Sequence, residues 1–302
     1  MRWKKVDSGD EVIDARGSSP SGTPGMGGLP IPIGKAGGGL GVVIALLVIG
    51  MQLLGGGSGG SGFDIGQAFP TETTVDAGSA KGIPADQDPD KDFKDFSAYV
   101  FVTAQQSWEQ AFEQAGQKYE HARLVIYRNG VNTGGCGSAS SAVGPFYCPG
   151  DQRVYIDLGF YKLMEKQLGA SGDLAWAYVI AHELGHHVQQ QLGTEAKVRE
   201  AQRDNPDQEN ALSVRMELQA DCYAGIWAHR IYRQGDLEDG DLEEALGAAE
   251  AVGDDTLQRN AGSGVQPESF THGTSEQRAK WFKVGYESGE PAKCDTFTPD
   301  QV

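Results

Sequence analysis

The spacing of apolar residues changes along the chain and separates a folded body from what precedes it. Phe93, Phe96, Val100, Trp108, Ala111 and Phe112 recur at helical intervals, which predicts a helix from about Asp92 that ends by Gly116. Arg123–Arg128 and Val154–Asp157 are short aliphatic and aromatic runs that read as strands, the first stopped by Asn129-Gly130. A helix from about Gly159 to Leu168 follows. Next comes the longest apolar helix, about Asp173 to Gln191, entered through Ser171-Gly-Asp173 and closed by Gly193. Thr194 to Asp204 is polar and helix-compatible until Pro206 interrupts it. Further helices are predicted at Ala211–Tyr232, Asp239–Ala251 and Ser275–Tyr286. Strands early and helices late predict an α+β domain with a small sheet beside a helical body.

Ahead of that body the pattern is different. Residues 1–35 are polar and rich in Gly, Ser and Pro, and read as a disordered tail. Ala36 to Gly57 is a stretch of 22 residues without a charge, long enough for one transmembrane helix. A cleaved signal peptide fits less well, because its basic region would be unusually long and no clear small-x-small site precedes the glycine run. Residues 58–91 begin with Gly-Ser repeats and read as a flexible linker, which leaves 92–302 as the folded domain. Five basic residues (Arg2, Lys4, Lys5, Arg16, Lys35) precede the apolar stretch, and none follows it until Lys81. That asymmetry predicts a single-pass membrane anchor, with the amino terminus in the cytoplasm and the domain outside.

Charge and cysteines refine this picture. The net charge of −17 argues against nucleic acid as a partner and fits a soluble, acidic domain. Four cysteines in an oxidising compartment predict two disulfides, Cys136–Cys148 and Cys222–Cys294. The alternatives are a structural zinc site, for which the Cys136 to Cys148 gap has the wrong spacing, and free buried thiols.

The chemistry concentrates in Tyr178-Val-Ile-Ala-His-Glu-Leu-Gly-His-His187, which carries H-E-x-x-H at His182, Glu183 and His186. On a helix, residues four apart share a face, so both imidazoles can reach one Zn2+, while Glu183 lies beside the open coordination position as general base. Zinc needs one more protein ligand. The downstream candidates are Glu209, Glu217, Asp221 and His229. Glu217 and Asp221 again sit four apart, so Glu217 is predicted to bind the metal and Asp221 to orient a ligand histidine. His187 points away and reads as a packing or solvent-facing neighbour. His121 and His229 receive no role. The acidic group Asp236, Glu238, Asp239 and Asp241 reads as the start of a helix.

His182-Glu-x-x-His186 followed by Glu217-x-x-Ala-Asp221 resembles the gluzincin pattern. More specifically, the chain resembles the bacterial neutral zinc metallopeptidase family. The resemblance extends through the glycine-rich N-terminal segment, Gly144–Pro149, Val154–Asp157, Gly253–Gln258 and His272–Phe282. It implies a zincin-like domain holding one zinc per chain and hydrolysing protein or peptide substrates. His272, in a segment similar to a histidine–arginine motif of gluzincins, is the candidate oxyanion donor. Its alternative is a loop histidine bonded to backbone. Arg278 is expected to pair with an acid, and Tyr223 is a weaker oxyanion candidate. The resemblance also implies peptide docking along a sheet edge, with Arg123–Arg128 as the strand in view. A non-catalytic zinc-binding scaffold, and a hydrolase of cell-wall peptide or another amide, are the competing readings.

Overall fold

The computed structural model describes residues 1–18, 74–77 and 80–298. It shows a mixed α+β architecture with two small sheets and a helical body. The first sheet has the order β1 (Val12–Asp14), β3 (Arg123–Tyr127), β7 (Arg153–Asp157) and β6 (Phe146–Cys148). The first three strands are parallel, and β6 pairs antiparallel to β7. The second sheet joins β2 (Thr74–Asp76), β4 (Gly130–Asn132) and β5 (Ser138–Ser140). Asn129, with φ of 66°, turns the chain between β3 and β4, which is why Asn129-Gly130 stops the strand. Leu124 and Ile126 of β3 face the helical core, while Val125 and Tyr127 face a second cluster on the opposite side. Burial on both faces explains the unbroken apolar run of that strand.

Eight helices follow among the described residues: α1 (Lys91–Gln114), α2 (Phe160–Leu163, continued by a wider turn over Met164–Leu168), α3 (Asp173–Gln191), α4 (Thr194–Asp204), α5 (Glu209–Gln234), α6 (Asp241–Ala251), α7 (Asp254–Asn260) and α8 (Ser275–Ser288). The predicted helices lie within a few residues of these bounds. The seven-residue α7 was not anticipated, being too short to carry a periodic stripe. Thr274 and Gln277 close a capping box that starts α8. Helix α3 is apolar nearly all round because it is the central element, packed on α1, α5, α6 and the sheet. Both disulfides, Cys136–Cys148 and Cys222–Cys294, are formed as expected.

Close approach governs how α5 meets its neighbours. A Cβ on Gly185 of α3 would lie 3.2 Å from the Ala220 Cα of α5, so the two helices touch almost backbone to backbone there. On its other side α5 meets α8 through Gly225 and Gly285, where any Cβ would collide with the facing backbone. Small residues therefore fix the separation of all three helices.

The predicted flexible linker, 58–91, supplies β2 to the second sheet and the enclosed Asp88, so its described part belongs to the body. Two further expectations need correction. The described part of the predicted tail, residues 1–18, is folded against the domain. Strand β1 extends the sheet beside β3, with Leu124 N–H donating to Glu11 O (2.7 Å) and Ala15 N–H to Ile126 O (2.8 Å). The Met1 amine contacts Asp173 at 2.5 Å and Asp241 at 3.1 Å, and Trp3 packs on Phe96. The acidic group before α6 thus receives this segment as well as starting a helix. The composition of residues 1–18 is polar, but Arg2, Lys5, Glu11 and Arg16 find partners in the body. The second correction concerns Arg123–Arg128, whose strand lies inside the sheet between β1 and β7 and offers no edge. The predicted transmembrane segment, 36–57, lies outside the described residues. Among those residues, no helix is long and apolar enough to cross a membrane.

Arg16 ties this first segment down. Its guanidinium is bidentate to Asp88 (2.9 and 2.5 Å) and to Asp14 (2.9 and 2.8 Å), and the Arg16 and Asp88 side chains are fully enclosed. Burial works to raise the Asp88 pKa, but Arg16 outweighs it and holds the carboxyl below its ordinary 3.8. Removing Arg16 strands that carboxylate, so Arg16→Ala is expected to cost about 3–5 kcal/mol in denaturant unfolding. The stabilisation from Asp88 is complete above the ordinary carboxylate range and is lost as pH falls through its lowered value. The variant should therefore lose less stability than the parent when unfolding is followed from pH 5 into acid.

Candidate metal centre

Helix α3 presents His182 and His186 one turn apart, and α5 presents Glu217 and Asp221 in the same way. The contact at Gly185 and Ala220 lies between these pairs, so each imidazole meets a carboxylate. His182 Nε2 is 3.2 Å from Glu217 Oε2, and His186 Nε2 is 3.6 Å from Glu217 Oε1. Tetrahedral zinc with bonds of about 2.0–2.1 Å places its ligand atoms about 3.4 Å apart. Both histidine–carboxylate distances are close to that tetrahedral edge. All three residues are buried, and their donor atoms fall within 4.8 Å of one another. His186 Nε2 and Glu217 Oε1 have no hydrogen-bond partner, a costly state for buried polar atoms unless a cation occupies the space they face. The residues fit zinc.

Surrounding groups decide which nitrogen of each ring is available. Asp221 Oδ1 can only accept, so the 2.8 Å bond from His182 puts the proton on Nδ1 and leaves Nε2 to the centre. Asp221 is itself held by Arg278, whose Nε and Nη2 each donate at 2.9 Å, and by the Tyr178 hydroxyl at 2.5 Å. The acid expected for Arg278 is thus the one that orients the first ligand. For His186 the orienting group is Gln189, which the sequence reading missed. Its Nε2 donates to Met216 O (2.8 Å) and Gln219 Oε1 (3.1 Å), which turns its own Oε1 toward His186 Nδ1 at 2.9 Å. Gln219 in turn donates to Cys294 O, a carbonyl fixed by the Cys222–Cys294 disulfide. A polar residue three positions after a ligand on a wholly buried helix was the available signal.

Electrostatics follow from this enclosure. Burial disfavours a charge on His182, but Asp221 and Glu217 reverse that and raise its pKa to about 9. Burial would also raise Glu217, yet His186 and His182 hold it down at about 2, as a carboxylate. Glu183 is raised, chiefly by burial, and the Tyr147 backbone N–H of β6 bonds to it. It faces the two histidines and Glu217 without being among the ligand atoms.

His272 is buried and held at Nδ1 by Asp254 Oδ1 (2.9 Å), while its own backbone N–H donates to Asp254 Oδ2 (2.7 Å). The ring lies near enough to Glu217 to help keep it ionised. Asp254, the first residue of α7, is a second group that sequence reasoning missed; it lies inside the quoted Gly253–Gln258 block. The backbone-bonded reading of His272 is not what the ring does, since its partner is a carboxylate.

The remaining candidates sit elsewhere. Tyr223 packs edge-on against Trp108. His229 donates to Tyr286 O, His121 faces Glu11, and Glu209 is exposed at the start of α5. His187 is fully buried and not solvent-facing: it donates from Nε2 to Glu120 O (2.7 Å) and accepts from the Tyr147 hydroxyl (2.9 Å), which pins β6 to α3.

Groups that orient a metal ligand typically contribute 10- to 100-fold to affinity. Gln189→Leu should weaken zinc binding by about that factor in a chelator competition, with Gln189→Glu recovering much of it. Saturating zinc should stabilise the parent chain by about 2.7 kcal/mol at a hundredfold excess over Kd. Glu217→Ala should abolish that shift.

Comparison with known proteins agrees with the geometry. The chain is 48% identical over 300 residues to "Uncharacterized protein YpfJ" of Escherichia coli K12, covering 98% of this chain and 99% of the relative. It is 43% identical over 191 residues to "Uncharacterized protein Mb2605" of Mycobacterium bovis, covering 60% of this chain and 64% of that one. No solved structure matches. The family described as "Putative neutral zinc metallopeptidase" matches residues 1–297, and with His182, His186 and Glu217 gathered as its chemistry requires, the chain belongs to that family.

Proposed function

We propose that the protein is a zinc-dependent endopeptidase of the gluzincin kind, holding one Zn2+ per chain through His182, His186 and Glu217. The observation that carries this reading is Glu183. It is a buried carboxylate at the same centre as the ligand set, not itself a ligand, and raised above its ordinary pKa. A purely structural zinc site has no use for such a group, whereas a hydrolytic one needs a base beside the metal.

Zinc bound here would acidify a water molecule and polarise a substrate carbonyl. The protein's own steps then follow from placement. Glu183, aligned by the Tyr147 N–H, takes the proton of the attacking water and later delivers it to the leaving amine. His272, oriented by Asp254, donates to the oxyanion of the tetrahedral intermediate. Asp221 and Arg278 keep His182 in the tautomer that leaves Nε2 for the metal. Strand β6, at the end of its sheet and bonded to Glu183, replaces Arg123–Arg128 as the docking edge for an extended peptide. The two disulfides support an oxidising compartment, so the substrates proposed are proteins or peptides outside the cytoplasmic membrane, to which the apolar segment 36–57 attaches the chain.

In the purified full-length chain, Glu183→Gln should retain zinc and lose casein cleavage by about 10²-fold or more. Parent-like activity in that variant would remove the mechanism. His272→Ala is expected to lower kcat about 10²–10³-fold with little change in KM and none in zinc content. Asp254→Asn should act in the same direction, more weakly, because the ring remains but its orientation loosens.

A further inference from the structure

The first eighteen residues and the peptidase body are one folded unit, and this constrains how the chain can meet a membrane. Beyond the β1–β3 pairing, Arg2 N–H donates to Asp236 O (2.7 Å), Lys5 pairs with Asp95 (3.0 Å), and Glu11 accepts from Gln105 (2.9 Å). The segment ends beside Lys81. Gly17 N–H donates to Lys81 O, and Lys81 N–H to Ser18 Oγ, both at 2.8 Å. Both ends of the stretch from residue 19 to residue 73 therefore join the body, at Ser18 and at β2, which pairs with β4.

Chain whose two ends lie on one side of a bilayer crosses it an even number of times. The sequence between those ends contains one uncharged apolar stretch, 22 residues long, where a single helical crossing needs about 20. Two crossings would need about twice that length. Nor can the ends be parted cheaply. With residues 1–18 across the membrane, the enclosed Asp88 would lose Arg16, and Asp173 and Asp241 would lose the Met1 amine. The edge of β3 would be left unpaired. Of the five basic residues that argued for an inside amino terminus, three are also committed, since Arg2, Lys5 and Arg16 have partners in the body.

Resting on the membrane-attached, extracytoplasmic reading above, we propose that residues 1–18 lie on the same side of the bilayer as the peptidase body. The apolar stretch then attaches the protein monotopically, from that side, and the amino terminus is a component of the catalytic domain.

The native cysteines are all in disulfides, so a maleimide reads only an added thiol. Asp10→Cys and Lys4→Cys place one in exposed positions of the first segment, and Glu113→Cys places one on the body. Each full-length variant is expressed in bacteria, and intact cells are treated with a membrane-impermeant maleimide before fractionation. The expected result is labelling of all three within about twofold of one another, in chain recovered with membranes. Labelling of Glu113→Cys with protection of both others, relieved by permeabilisation, would show a crossing and overturn the proposal. Protection of all three until permeabilisation would uphold the shared side and sink the extracytoplasmic reading instead. Chain found wholly in the soluble fraction would overturn the monotopic attachment, and casein cleavage by that fraction would show the peptidase reading intact.

Discussion

The centre depends on how closely α3 and α5 can approach. Gly185 lies between the two histidines' turns, and Ala220 lies between Glu217 and Asp221. Because neither carries a bulky side chain, the helix axes come near enough for one carboxylate to bridge both Nε2 atoms and the next to reach back to Nδ1 of His182. A larger residue at either point would separate the helices, and the ligand atoms would no longer share one coordination sphere. The Gly225–Gly285 contact does the same for α8, which carries Arg278 to the far side of Asp221.

Burial then turns placement into chemistry. Charges removed from water must be compensated locally, and the compensation here is specific. Arg278 neutralises Asp221, while Glu217 and Glu183 remain as acids facing two imidazoles. The same carboxylates that raise His182 to about 9 create a strong preference for positive charge at that point, which a divalent cation satisfies better than a proton. His272 and Asp254 form a separate pair, brought in by α7 and the loop before α8.

The amino-terminal segment obeys the same rule on a different surface. Eight of its eighteen residues are charged, a composition that reads as solvated chain when taken alone. In the fold Arg16, Lys5 and the Met1 amine are met by Asp88, Asp95 and Asp241, and the backbone extends a sheet. Its order comes from partners more than sixty residues away, which local composition cannot register.

By itself the sequence determined whatever depends on residues within a turn or two of each other. The i, i+4 spacing of His182 and His186, and of Glu217 and Asp221, required only a helix at each place, and apolar periodicity supplied both. Helix bounds, the Asn129-Gly130 stop and the Pro206 break were legible for the same reason. Tertiary structure decided what depends on contacts between distant segments. It chose Gln189 and Asp254 as orienting groups, gave Asp221 its Arg278 clamp, put β3 inside the sheet and β6 at its end, and folded residues 1–18 into the body. A hydrogen bond or ion pair across scores of residues leaves no periodic mark on the chain, because its free energy arises only when packing has excluded the water that either group would otherwise bind.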